Sequence, residues 1–197
     1  MYILGVTGSI GSGKSTVSDH LAKLGAVVSH SDDLAKDILQ NNQSILTALS
    51  DRFGSDILDK AGMLQRHILA ERAFATEQDQ LFLNHLIHPE VKKITQLSME
   101  KAQSANAAMF VIDAPLLFEA HVDRITNSVL VIAAERIIRE GRVASRSQNT
   151  AQDFERRDAL QMPIAEKIRR AQHVIFNDGS LEELLQKVEA LYSELIH

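Results

Sequence analysis

Gly8-Ser9-Ile10-Gly11-Ser12-Gly13-Lys14-Ser15, near the N-terminus, constrains the fold more tightly than any other segment. It satisfies G-x-x-x-x-G-K-[ST] in full, following an apolar run at the N-terminus and opening a stretch with helical spacing. Each residue type has a physical reason to be there. The glycines let the backbone wrap so that successive N–H groups point inward at a phosphate, and the positive end of the helix dipole adds to that field. Lys14 supplies a point charge to the β- and γ-phosphates, and the Ser15 hydroxyl is suited to ligate Mg2+. The loop therefore predicts nucleotide binding. Alone it leaves a switch GTPase, a motor fragment and a small-molecule kinase equally open.

Elsewhere in the chain, short apolar runs at 2–6, 26–29, 109–113, 128–133 and 174–176 read as buried strands. Between them, 14–24 places Val17, Leu21 and Leu24 on one helical face, and 181–195 repeats Leu184, Leu185, Val188, Leu191 and Leu195 in the same way. Alternating strand and helix predicts an α/β fold, a parallel sheet with helices on both faces. The alternation breaks once, from about 34 to 105, where the pattern predicts helices only. A polar, Arg-rich stretch from about 139 to 163 is expected to form a helical lid over the sheet edge. The 197 residues suit one domain, with these two regions as insertions into its core.

With 45% hydrophobic and 24% charged residues, the chain has the balance of a folded globular protein rather than a disordered one. The absence of cysteine excludes disulfides, thiolate metal sites and a cysteine nucleophile, which makes the cytoplasm the expected compartment. The sequence shows neither a signal-peptide pattern nor a membrane-length apolar run, so no membrane partner is expected. A net charge of −5 argues against nucleic acid as a partner. Locally the sign reverses: between Arg136 and Arg170 nine basic residues face five acidic ones, a field suited to a small anionic ligand.

The guanine-reading motif Asn-Lys-x-Asp of GTPases has no good match, since Asn177-Asp178-Gly179-Ser180 lacks the Lys. Motor ATPases need more chain, which leaves a compact kinase. After the second strand, Asp32 or Asp33 is placed either to take a proton from an acceptor hydroxyl or to cap the following helix. Phe110-Val111-Ile112-Asp113 has the form of a strand ending in a metal-organising carboxylate, or in an Asp that caps the next turn. Arg139, Arg142 and Arg146 recur at helical spacing and could share a face toward transferring phosphate or toward solvent. The eight histidines show no metal-ligand spacing such as H-E-x-x-H, and no zinc site is expected.

Taken together, these residues resemble the dephospho-coenzyme A kinase family along essentially the whole chain. The resemblance rests on Gly5 to Thr16, on Gly62-Met63-Leu64-Gln65-Arg66 with Phe74, and on Leu86-Ile87-His88-Pro89. It rests further on Asp113-Ala114-Pro115-Leu116-Leu117-Phe118-Glu119, on Arg142, Arg146 and Gln161, and on Asn177-Asp178-Gly179-Ser180. It implies a P-loop kinase that uses ATP and Mg2+ to phosphorylate the ribose 3′-hydroxyl of dephospho-coenzyme A, working as a monomer or weak homo-oligomer. It implies catalytic roles for Asp32, Lys14 and Arg142, and nucleotide contacts from Gly8, Gly11, Ser12, Gly13, Lys14, Ser15, Thr16, Arg142 and Arg146. Acceptor contacts would come from Asp32, Arg66, His88, Asp113 and Leu117, with the helical region from about 40 to 105 binding the acceptor, and metal ligation from Ser15 and Asp113. One departure stands out: where the family usually has Asp-x-Asp, this chain has His30-Ser31-Asp32.

Overall fold

The computed structural model describes residues 1–146 and 151–196, leaving aside the side chains of Arg146, Ala151 and Asp153. In chain order the elements are β1 (Tyr2–Gly8), α1 (Lys14–Lys23), β2 (Val27–His30), α2 (Ser31–Asn41), α3 (Gln43–Phe53), α4 (Arg66–Ala73) and α5 (Glu77–Ser104). They continue with β3 (Met109–Asp113), β4 (Ser128–Ala133), α6 (Arg136–Arg146), α7 (Ala151–Ala159), α8 (Ile164–Arg170), β5 (His173–Phe176) and α9 (Leu181–Ile196). All five expected strands form, each close to its predicted limits. The chain divides into two compact units, one of Met1–His30 with Met99–His197 and one of Ser31–Ser98.

In the first unit the five strands form one parallel sheet in the order β2-β3-β1-β4-β5. Every residue of β3 and β4 is buried, as expected of strands covered on both faces. Alternate side chains separate the two faces. Leu4, Val6, Met109, Val111, Leu130 and Ile132 pack with Val17 and Leu21 of α1 and Leu184 and Val188 of α9. On the other face, Val129 and Val131 meet Leu117 and Phe118, with Ile164 and Ile168 of α8 against them, while Phe110 and Ile112 meet Ala102.

This strand order fixes where a ligand can bind. The connection after β1 runs to one side of the sheet and the connection after β3 to the other, so a crevice opens beyond the carboxyl ends of β1 and β3. The glycine-rich loop leaves β1 at that point, and Asp113 ends β3 beside it, paired in register with Val6.

The second unit is helical and has its own core of Ile38, Ile45, Leu49, Phe53, Ile57, Leu69, Ala73, Leu83 and Ile87. Asn42 separates α2 from α3 and caps α3 by accepting from the Ile45 N–H at 3.3 Å. Pro89 lies inside α5, which continues through it for a total of 28 residues. The missing Pro89 N–H removes one bond of the helical ladder, and packing of Leu83 and Ile87 on the turns before it holds the helix together. Among the described residues no helix is long and apolar enough to cross a membrane.

Candidate active site

The glycine-rich loop has the backbone its composition calls for. Gly11 and Gly13 have φ of 78° and 96°, a region that disfavours any residue with a Cβ. Space is equally short, since a Cβ on Gly11 would sit 2.6 Å from the Arg139 carbonyl oxygen and one on Gly13 would collide with the Asn177 amide. The loop delivers Lys14 to the first position of α1, where the helix N–H groups also point at the crevice.

Lys14 donates to Asp113 Oδ1 within the first unit, and Asp113 is almost fully buried. The other oxygen of that carboxylate, Oδ2, lies 3.0 Å from His30 Nδ1. His30 and Asp113 are partners in the β2–β3 register, so strand pairing itself sets the two side chains together. Ser15, one residue into α1, is exposed and offers a hydroxyl oxygen. Hydroxyl and carboxylate are hard oxygen donors of the kind Mg2+ takes when most of its remaining ligands are water and phosphate, so this donor set fits that ion.

Three side chains distant in sequence hold the loop in shape. Asn177 Nδ2 donates to the Ser12 carbonyl at 2.7 Å, and Asn177 Oδ1 accepts from Arg142 at 3.3 Å. Arg139 is 5% exposed; it reaches the Ile10 carbonyl at 3.3 Å and pairs with Asp158 at 2.6 Å, linking α6, α7 and the loop. Arg142 also has a buried Nη1 with no hydrogen-bond partner among the described residues.

A second fixing point lies just past Asp113. The Pro115 carbonyl accepts from Thr7 Oγ1 at 3.2 Å and from the ammonium of Lys167 at 2.6 Å. Lys167 is fully buried, with Glu119 at 3.6 Å. Burial pushes its pKa below the ordinary lysine range against the opposing attraction of Glu119. Glu119 Oε1 also accepts from the Met162 N–H at 2.6 Å, and Arg170 lies over the Phe118 ring at 4.5 Å. Residues 115–119 are thus fastened to the segment 162–170.

The structure brings Gly8, Gly11, Ser12, Gly13, Lys14, Ser15, Thr16, Asp113 and Arg142 together within the first unit, while the Arg146 side chain lies outside the described residues. Asp32, Arg66 and His88 belong to the helical unit. Asp32 and Asp33 occupy the exposed first turn of α2, where carboxylates suit the helix dipole, and Asp33 pairs with Lys36 at 2.6 Å. Arg66 opens α4 and reaches the Lys36 carbonyl at 3.4 Å. His88 sits on the exposed side of α5, yet the surrounding protein still lowers its pKa by desolvation. Leu117, expected among the acceptor contacts, is instead fully buried: it fills the space left by Gly5, whose Cβ would stand 2.8 Å from Leu117 Cδ1.

Comparison with known proteins agrees with this geometry. The family model for dephospho-CoA kinase matches residues 2–183. The chain belongs to the dephospho-CoA kinase family. A dephospho-CoA kinase of Syntrophotalea carbinolica is 38% identical over 196 residues, covering 100% of this chain and 93% of that protein. Among solved structures, TT1252 from Thermus thermophilus superposes with a TM-score of 0.83 at 34% identity, covering 100% of this chain and 98% of that one. The dephospho-CoA kinase from Campylobacter jejuni gives 0.74 at 26% identity, covering 98% and 96%. As a dephospho-CoA kinase family member the chain is a phosphotransferase of the last step of coenzyme A synthesis, with ATP as phosphoryl donor.

Reading the sequence missed Lys167 and Thr7 as supports of this site and gave Arg139 no distinct task. A signal for Lys167 was present: it falls on the apolar stripe of α8 with Ile164, Ile168 and Ala171, where a solvated lysine would not be placed.

Proposed function

We propose that the chain transfers the γ-phosphoryl group of ATP to the ribose 3′-hydroxyl of dephospho-coenzyme A with the residue roles that follow. The observation that carries the reading is the convergence of Lys14 and Asp113 at the carboxyl ends of β1 and β3, beside the glycine-rich loop. The loop amides and the α1 N-terminus bind the β-phosphate. Lys14 moves from Asp113 to the β- and γ-phosphate oxygens once nucleotide is present, because a phosphate carries more charge than one carboxylate. Ser15 and Asp113 would hold a magnesium ion, which would offset the negative charge of the phosphates.

In the transfer, the acceptor oxygen attacks the γ-phosphorus, the bond to the bridging oxygen breaks, and ADP leaves. Asp32 takes the hydroxyl proton. Arg142, and Arg146 with it, clamp the γ-phosphate from a lid over about 139 to 163, and the local excess of positive charge there supports that role. The helical region over about 40 to 105 takes the acceptor, with Arg66, His88 and Asp113 among the contacts. Leu117, being fully buried, shapes the 113–119 loop instead of touching the acceptor. A chain without cysteine suits the cytoplasm, where this reading puts the enzyme.

The test is ADP release from ATP and Mg2+ with dephospho-coenzyme A as acceptor, beside adenosine, AMP and shikimate. Turnover with dephospho-coenzyme A alone is expected, and Asp32→Asn should lower kcat by about 10²–10⁴-fold, the usual worth of a general base, with little change in KM. Full turnover in that variant would remove Asp32 from the proton transfer.

A further inference from the structure

The Asp113 carboxylate is engaged on both sides, but its two partners differ in kind. Lys14 sits on a helix start that faces phosphate and has a competing ligand whenever nucleotide binds. His30 sits on a strand, fixed in register beside Asp113, with its side chain two-thirds buried. Asp113 Oδ2 can only accept, so His30 Nδ1 carries the proton of this 3.0 Å bond. Nε2 points the other way, toward Asp19 at 3.8 Å. When Lys14 leaves, His30 is, among the described residues, the contact that still holds the Asp113 carboxylate.

We propose that His30 is a positioning residue for Asp113, its Nδ1–H holding Oδ2 so that Oδ1 is presented to the magnesium of the bound nucleotide. The proposal rests on the reading of Asp113 as a metal ligand. Physically, His30 does for a carboxylate what outer-shell partners do for ligands generally: it removes rotational freedom before the ion arrives, so less ordering is needed on binding. A histidine also does this without adding a second negative charge beside Asp113. Coupling between Mg2+ and nucleotide in this chain then depends on orientation rather than on accumulated carboxylates.

The test compares His30→Ala, His30→Asn and His30→Gln, with Asp113→Asn alongside. Asparagine places an amide N–H near the position of Nδ1, whereas glutamine carries it out toward Nε2. The primary readout is calorimetric binding of a non-hydrolysable ATP analogue across a magnesium titration, with kcat and acceptor KM measured in parallel. His30→Ala and His30→Gln should raise the Mg2+ concentration for half-maximal coupling by about 10-fold, the low end for loss of an outer-shell partner. His30→Asn should stay within about 3-fold of wild type, a rescue that a purely structural role for the ring would not give. Acceptor KM should be unchanged in all three, while kcat at low magnesium falls in the Ala and Gln variants only.

Wild-type coupling in both the Ala and Gln variants would overturn the proposal, as would equal damage in Asn and Ala. Asp113→Asn separates the two readings. If it abolishes magnesium coupling while His30→Ala does not, only the role of His30 fails; if it leaves coupling intact, the metal assignment and this proposal fall together. Should His30→Ala not fold, the Asn and Gln pair decides on the same criteria.

Discussion

Replacing Lys167 with methionine isolates the tie that holds the loop after Asp113. Methionine keeps the length and apolar stem, so the change removes the ammonium without opening a large void. Two effects of opposite sign follow. The folded protein no longer buries a charge, which favours the variant, and it loses a charge-assisted bond to the Pro115 carbonyl at 2.6 Å together with the counter-charge of Glu119. Removing one member of a wholly buried pair costs about 3–5 kcal/mol. Here the residual groups are only partly stranded: Pro115 keeps Thr7 at 3.2 Å, and Glu119 is a quarter exposed and keeps the Met162 N–H. The expected destabilisation is therefore about 2 kcal/mol, which for a chain of this size lowers Tm by about 4–8 °C.

Differential scanning calorimetry checks this, and its pH dependence adds a sign. Burial holds the Lys167 pKa below the unfolded value of 10.5, so in the window between the two the unfolded chain binds a proton that the folded chain does not. Raising pH through that window stabilises the wild type, and the gap to Lys167→Met should widen there. Lys167→Met with Glu119→Gln should recover some of the loss, since no carboxylate is then left without its cation. A variant that melts at or above the wild-type temperature, with a gap flat in alkaline pH, would mean that the buried ammonium gives no net support.

Gly11→Ala must combine a positive φ with a Cβ 2.6 Å from the Arg139 carbonyl, so the loop has to shift. At about 1–2 kcal/mol of backbone strain alone, ADP affinity should fall by roughly 10-fold in a calorimetric titration. His88→Gln should flatten the acid side of the stability profile. Desolvation lowers the His88 pKa from 6.5, so its contribution is complete above 6.5 and is lost as pH falls through the folded value, and urea melts from pH 7 to 5 should show the variant losing less than wild type.

The fold was legible because its signals are local. A strand buried on both faces needs an unbroken apolar run, and Phe110-Val111-Ile112 or Val129 to Ile132 shows one without knowledge of its neighbours. The strand order was not predicted: what places β3 beside β1 is packing between distant segments, such as Met109 and Val111 in one cluster with Leu4 and Leu184. The run through Pro89 shows the same limit, since a local rule that favours a helix start there is overridden by the apolar turns around it.

At the site, the contiguous loop assigned to phosphate is legible in the sequence, and the backbone contacts that support it are not. A phosphate-binding loop has to be contiguous, because successive amides must converge on one anion, and contiguity is what a sequence displays. The supports act on backbone carbonyls instead: Asn177 on Ser12, Arg139 on Ile10, Lys167 on Pro115. Every residue has a carbonyl, so although Asn177 stands in a motif, Arg139 in a helical repeat and Lys167 on an apolar stripe, nothing in the sequence names the carbonyl each one meets. What distinguishes these three is burial, and burial belongs to the fold. In sequence Arg139 is one of nine basic residues between Arg136 and Arg170; in the structure it is 5% exposed and bonded to the loop. The cost of desolvating that charge is met by Asp158 and the Ile10 carbonyl, which ties Arg139 to the loop, whereas Arg142 keeps a buried Nη1 that has no hydrogen-bond partner among the described residues.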